Sequence, residues 1–189
     1  ADLAGGIPGE NLPVGDLVLP NVGAAVMLYG SASGIATANA HRLDRSDSDG
    51  VRHADDDFGA ELAAGDFDGD GQAELAVGIP GASVDGVNQA GKVAIFAGGP
   101  AVLAPTFVLN LSQSGMAATF PEVGDSFGEV LGVGDLDADG YDDLLVGVPL
   151  DSAGGFEDAG MAHAYFSQGL FRDGFETGGA GPWSDAVAN

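Results

Sequence analysis

The chain has 189 residues, 45% of them hydrophobic, with 33 glycines, no cysteine and 29 acids against 5 bases. A formal charge of −24 repels nucleic-acid phosphates and anionic membranes, and the lack of thiols removes disulfides and thiolate metal sites. The apolar content suffices for a core but offers no run near the ~20 residues of a membrane-spanning helix, and glycine well above its usual ~7%, without a Gly-X-Y period, points to an all-β chain with many tight turns.

The first element is DLAGGIPG (2–9), an acid followed by a short apolar run and a Gly-Pro turn, with a strand expected over 2–7. GAAVMLYG (23–30) reads as a second strand and TANAHRL (37–43) as a weaker third. DRSDSDG (44–50) and DDD (55–57) give an acidic stretch, 44–57, expected to be a solvated linker. Then comes FGAELAAGDFDGDGQAELAVGIPG (58–81), with apolar runs at 91–99 and 106–112. After a second linker, 113–126, FGEVLGVGDLDADGYDDLLVGVPL (127–150) repeats the earlier stretch without a gap, and GMAHAYFSQG (160–169) follows. Residues 170–189 break the pattern and form a tail.

Within each long stretch the acids alternate. Asp66, Asp68 and Asp70 stand at loop positions 1, 3 and 5, with Gly71 at 6, Gln72 at 7 and Glu74 at 9. Asp135, Asp137, Asp139, Gly140, Tyr141 and Asp143 occupy the same offsets. Like charges at this spacing repel unless a cation sits among them. Calcium takes six to eight oxygens in a flexible shell, and a glycine at position 6 allows the backbone to curl round it. Position 7 is expected to offer its carbonyl, so that its side-chain type matters little. An EF-hand is excluded, because position 12 is Val77 or Val146 instead of a bidentate Glu, and strands instead of helices follow. Two calcium sites are therefore expected. DRSDSDG fails as a third: with Gly50 at position 6, Arg45 and His53 fall at positions 1 and 9.

The ninth-position acids Asp2, Glu74 and Asp143 are 72 and 69 residues apart, and each lies six residues before a proline. Asp2 thus marks the remnant of a third loop. Units of about 70 residues with up to four strands point to propeller blades, which bury their faces against one another. The expected units are 1–43, 58–112 and 127–169.

Phe58-Gly59, the loop 66–74 and GIPGA (78–82) resemble the FG-GAP repeat, the blade of the integrin α-subunit β-propeller and of many bacterial secreted proteins; YGSASGI (29–35) resembles a strand-end turn of the bacterial members. The resemblance covers about residues 1–170. It implies a seven-bladed propeller with calcium in some loops, held here by Asp66, Asp68, Asp70, Glu74 and the Gln72 carbonyl, and by Asp135, Asp137, Asp139, Asp143 and the Tyr141 carbonyl. Two departures stand out: Glu74 replaces the usual Asp, and the last unit reads GVPL. About two and a half repeats cannot close a ring, so the chain reads as a C-terminal piece of a longer protein whose neighbouring blades are missing; the alternative is that several copies assemble. Alone it is expected to expose apolar blade faces and to associate. The tail, with DGFE and Trp183, resembles a short C-terminal tail of bacterial secreted proteins; the alternative is a frayed terminus.

Other readings carry less. Phe58 and Phe127 read as blade packing, with Gly59 and Gly128 leaving room for a neighbour. His41, His53 and His163 lack metal spacing, and GSASG (30–34) has Ala32 where a nucleophilic serine belongs. The resulting expectation is a non-catalytic, calcium-binding segment of a secreted or cell-surface bacterial protein, serving adhesion or scaffolding through a protein or glycan ligand. The alternatives are the propeller region of a larger hydrolase or phospholipase, and a polysaccharide-binding module.

Overall fold

The computed structural model describes residues 2–98, 106–116, 120–152 and 156–167. Its strands are β1 (Leu3–Ile7), β2 (Leu12–Val14), β3 (Leu17–Leu19), β4 (Ala24–Ser31), β5 (Gly34–Leu43), β6 (Leu62–Gly65), β7 (Glu74–Ile79), β8 (Lys92–Ala97), β9 (Thr106–Leu111), β10 (Val130–Gly134), β11 (Asp143–Val148) and β12 (Met161–Tyr165). They form three antiparallel sheets in the orders β1-β4-β5, β6-β7-β8-β9 and β10-β11-β12, with β2 and β3 paired as a separate hairpin. The all-β blade architecture expected from the sequence is present, and the sheets follow the repeat. The register repeats as well: Gly5 faces Val26, Val77 faces Ala94, and Val146 faces His163. His163 is accordingly a strand residue equivalent to Val26 and Ala94. The tail 170–189 lies outside the described residues.

Packing explains why the middle blade reads as continuously apolar. All six residues of β7 are buried, because a blade covers each face. On one side Leu75, Val77, Ile79, Ala94 and Phe96 pack with Phe58, Ala25 and Leu43. On the other, Ala76, Val93, Ile95, Leu109 and Leu111 meet Phe127, Leu144, Val146 and Val148. The outer faces lack this cover: Leu3 and Ile7 are 54% and 42% exposed, Val130 and Leu145 57% and 40%.

Phe58 and Phe127 are fully buried at the two junctions. Each amide donates to the previous blade, Phe58 to the Val22 carbonyl at 3.0 Å and Phe127 to that of Ala90 at 3.0 Å. The glycines matter for close approach. A β-carbon on Gly6 would overlap the Gly59 carbonyl oxygen, and one on Gly78 would overlap that of Gly128. Gly59 and Gly128 also hold left-handed backbone, at φ +85° and +88°.

Two expectations need correction. The segment 44–57 is solvated only in part: residues 46, 47, 49–51 and 53–55 are exposed, but the segment is anchored by buried charges. Asp44, Arg45 and Asp56 are 3%, 4% and 1% exposed. Arg45 bridges Asp56 and, at 3.0 Å, Asp49; Arg52 reaches Asp44 at 2.7 Å, Arg42 reaches Asp44 at 3.3 Å, and Lys92 of the next blade reaches Asp49 at 3.2 Å. A 3-10 turn over Arg45–Asp47, with a capping box on Asp44, shapes the site. Arg42, Arg45 and Arg52 are three of the chain's five bases, so the acids here have partners and can leave water together. The second correction is local. The stretch 10–22 holds the β2–β3 hairpin, turned at Gly15 with φ +60°, and β5 begins at Gly34 instead of residue 37.

Candidate metal centre

Both acidic loops join the first strand of a blade to the second: Asp66–Glu74 links β6 to β7, and Asp135–Asp143 links β10 to β11. Their backbones are built alike. The Asp66 carboxylate accepts the Gly71 N–H at 3.0 Å, and Asp135 accepts the Gly140 N–H at 3.1 Å. Asp68 accepts from Asp70 N at 3.0 Å and Asp137 from Asp139 N at 3.2 Å. Asp70 accepts from Gln72 N at 2.7 Å and Asp139 from Tyr141 N at 2.9 Å. Gly71 and Gly140 have φ of +86° and +94°, the conformation for which position 6 needs glycine. These turns curl the acids inward.

Carboxylate oxygens of Asp66, Asp68 and Asp70 lie within 4.8 Å of one another, as do those of Asp135, Asp137 and Asp143. Glu74 and Asp139 stand outside these groupings. The donor set, all hard oxygens, suits calcium. One further observation fits a cation: Asp66 Oδ1 is buried and has no hydrogen-bond partner among the described residues, although its Oδ2 does. A buried carboxylate oxygen left without a donor is costly unless a cation faces it.

The ninth-position acids also do a second job that spacing did not reveal. Glu74 accepts the Phe67 N–H at 2.8 Å and also the Gly98 N–H; Asp143 accepts Leu136 N at 2.7 Å and Ser167 N at 2.9 Å. Asp2 accepts Gly30 N at 2.8 Å. Glu74 and Asp143 therefore clip their loops to the end of the third strand of their own blades, and Asp2 reaches the end of β4, the equivalent strand. A second missed pair is Asp56 and Asp125, buried two residues before Phe58 and Phe127, where they accept His53 N at 2.8 Å and Glu122 N at 2.6 Å. Extending the repeat alignment two residues upstream of each phenylalanine exposes them. The position-7 side chains matter too: Gln72 Nε2 donates to Asp70 at 3.1 Å, whereas the Tyr141 ring lies on Gly69 of the neighbouring loop.

A family model described as the FG-GAP repeat matches residues 58–96 and 127–165. The chain carries two FG-GAP repeats. Each match runs from the phenylalanine at a blade junction to the third strand, and so takes in one acidic loop. The chain is similar to integrin alpha-8 of Gallus gallus, 34% identical over 126 residues, 63% of this chain and 11% of that protein. Integrin alpha-8 of Mus musculus is 30% identical over 178 residues, 91% of this chain and 15% of that protein. Phosphatidylinositol-glycan-specific phospholipase D of Mus musculus is 35% identical over 109 residues, 58% of this chain and 13% of that protein. The chain thus spans only 11–15% of the length of these relatives. Among the described residues no helix is long and apolar enough to cross a membrane.

Burial pushes the Glu74 carboxyl up to about 7, helped by the charges of Asp68 and Asp70 and opposed by the N–H groups of Phe67 and Gly98. The Asp137 carboxyl is also raised, by desolvation and by the charge of Asp139. In calcium-free chain, the folded state then keeps a proton on Glu74 between pH 4.5 and about 7 that the unfolded state has lost. Stability contributed by that proton is complete below the window and falls as pH rises through it. Thermal melts in EDTA should show a decline from pH 5 to pH 7.5 that is smaller in Glu74→Gln. An equal decline in both proteins would refute this assignment.

Proposed function

We propose that this chain is a calcium-binding β-propeller segment of a secreted or cell-surface protein, acting as a non-catalytic scaffold for adhesion or protein interaction. The carrying observation is the pair of loops on one backbone plan, each drawing three carboxylates together, in FG-GAP repeats. The ions are held by Asp66, Asp68 and Asp70 with the Gln72 carbonyl, and by Asp135, Asp137, Asp139 and Asp143 with the Tyr141 carbonyl; Glu74 joins through its longer side chain or through water. Bound calcium supplies charge neutralisation and fixes the loops. Millimolar calcium outside cells fills sites of modest affinity, which supports the extracellular reading. Similarity to integrin alpha-8 supports adhesion, and the strand-end turn YGSASGI supports a bacterial secreted type.

Calorimetric titration with calcium tests the proposal. Two ions per chain are expected, with the 135–143 loop tighter because its ninth-position acid is the shorter Asp143, whereas Glu74 has an extra methylene to accommodate. Asp139→Ala removes the tighter site and Asp70→Ala the weaker. Magnesium, which prefers a rigid octahedron and keeps its waters, should substitute poorly. No calcium uptake, or affinities in the reverse order, would count against the assignment.

The similarity to phosphatidylinositol-glycan-specific phospholipase D supports a second reading, in which these blades accompany a catalytic domain elsewhere in a longer chain. Phosphatidylinositol-glycan hydrolysis by the longer chain, undiminished by substitutions in the blades' apolar faces but lost when the catalytic domain is removed, distinguishes it.

A further inference from the structure

The two acidic loops touch, and the contact runs in one direction. The side chain of Asp142, at position 8 of the second loop, accepts the Asp66 N–H at 3.0 Å across the blade junction. Its own N–H donates back to the Asp66 carbonyl at 3.2 Å. The neighbouring Tyr141 ring lies against the bare α-carbon of Gly69, where any β-carbon would overlap it. Positions 1 and 4 of the first loop are thus held by positions 7 and 8 of the second.

The first loop has no equivalent reach. Its position 8 is Ala73, and its position 7, Gln72, turns back onto its own Asp70 at 3.1 Å. Backbone conformation alone does not explain Gly69. Ala138 fills the same position in the other loop with a left-handed φ of +63°, close to the +76° of Gly69. The ring of Tyr141 explains the glycine.

We propose that Tyr141 and Asp142 are positioning residues that couple the two calcium sites, the 135–143 loop templating the 66–74 loop. This rests on the calcium reading above. Tyr141 and Asp142 sit between Gly140, whose N–H binds Asp135, and Asp143, which belongs to the second carboxylate group. An ion that fixes Asp135 and Asp143 therefore fixes the two residues between them, and through them the backbone that carries Asp66. Charge acts in the opposite sense, since a cation in either loop relieves part of the repulsion the other would relieve; the templating contact has to outweigh it. Linkage makes the coupling reciprocal.

The test measures calcium affinity by calorimetry in the full chain, with each loop disabled in turn by Asp68→Ala or Asp137→Ala. Disabling the second loop is expected to weaken the first by about five-fold, the low end of ordinary coupling. In an Asp142→Ala background, which carries the residue found at position 8 of the other loop, that dependence disappears. Tyr141→Gln, again the residue of the other loop, reduces it, and serves should Asp142→Ala disturb folding. Two loops that bind calcium with affinities indifferent to one another overturn the coupling and leave the calcium reading standing. Coupling that persists in both variants overturns the route assigned to it. No calcium uptake by the unaltered chain overturns both readings.

Discussion

Saturating calcium raises the melting temperature of this chain by about 10–20 °C over the same protein in EDTA. A ligand that binds only the folded state stabilises it by about 2.7 kcal/mol at a hundred times its dissociation constant. Two sites double that, and a chain of this size gains about 2–4 °C per kcal/mol. The physical source is local. Each loop gathers three carboxylates within 4.8 Å, and Asp66 keeps one buried oxygen without a donor. Removing the ion restores the repulsion but leaves the turns that shape the loop. A melting curve indifferent to calcium and EDTA would show that the turns alone hold the acids. Magnesium at the same concentration should recover only a small part of the shift.

These loops were legible in the sequence because their chemistry is local: alternating acids, a glycine where the backbone turns left-handed, and an apolar run behind. The blades were legible because Phe58 and Phe127 recur at a fixed interval with the loops. What escaped the sequence lacked a partner of matching length. The β2–β3 hairpin carries a Gly15-Asp16 turn between alternating residues, a recognisable hairpin signal, whereas at the same place in the next unit only a Val84–Val87 bridge closes round Asp85-Gly86. The contact of Tyr141 and Asp142 with the neighbouring loop spans 76 residues and depends on how blades stack, which no local pattern encodes. The segment 44–57 was misjudged because its acids were counted without their bases. Four of the five cationic side chains, Arg42, Arg45, Arg52 and Lys92, converge on it.

That convergence sets the second large effect. Arg45→Ala is expected to destabilise the fold by about 3–5 kcal/mol, the usual cost of removing one partner from a buried ion pair. Arg45 is 4% exposed and holds both Asp49 and Asp56, the latter 1% exposed. Burial already pushes the Asp56 carboxyl upward against the pull of Arg45, so without the guanidinium it must take a proton or remain an uncompensated charge. Asp44 behaves differently: burial raises its carboxyl too, but hydrogen bonds from Arg52 and Ser46 outweigh it and hold the group below the usual range. Denaturant unfolding with and without calcium checks the claim. The loss should be similar in both conditions, because the network lies outside the acidic loops. Asp16→Ala, on the exposed hairpin turn, should change stability by less than about 0.5 kcal/mol. A loss for Arg45→Ala no larger than that of the control would mean that the pair contributes nothing.

Beside their apolar side chains, the junctions between blades are closed by atoms that every residue possesses. A carbonyl oxygen of Gly59 or Gly128 rests on the bare α-carbon of Gly6 or Gly78, and a phenylalanine amide reaches back to a peptide oxygen. Those backbone contacts cannot tell one blade from another. A repeat copied by gene duplication, or exchanged by recombination, would seat against its new neighbour without further adjustment. Individuality is then added beside those contacts, by the Arg45 network at the first junction and the Tyr141 ring at the second. An alanine at any of the four glycines should therefore disturb the joint in whichever blade it stands, whereas a change at Arg45 or Tyr141 should be felt at one junction alone.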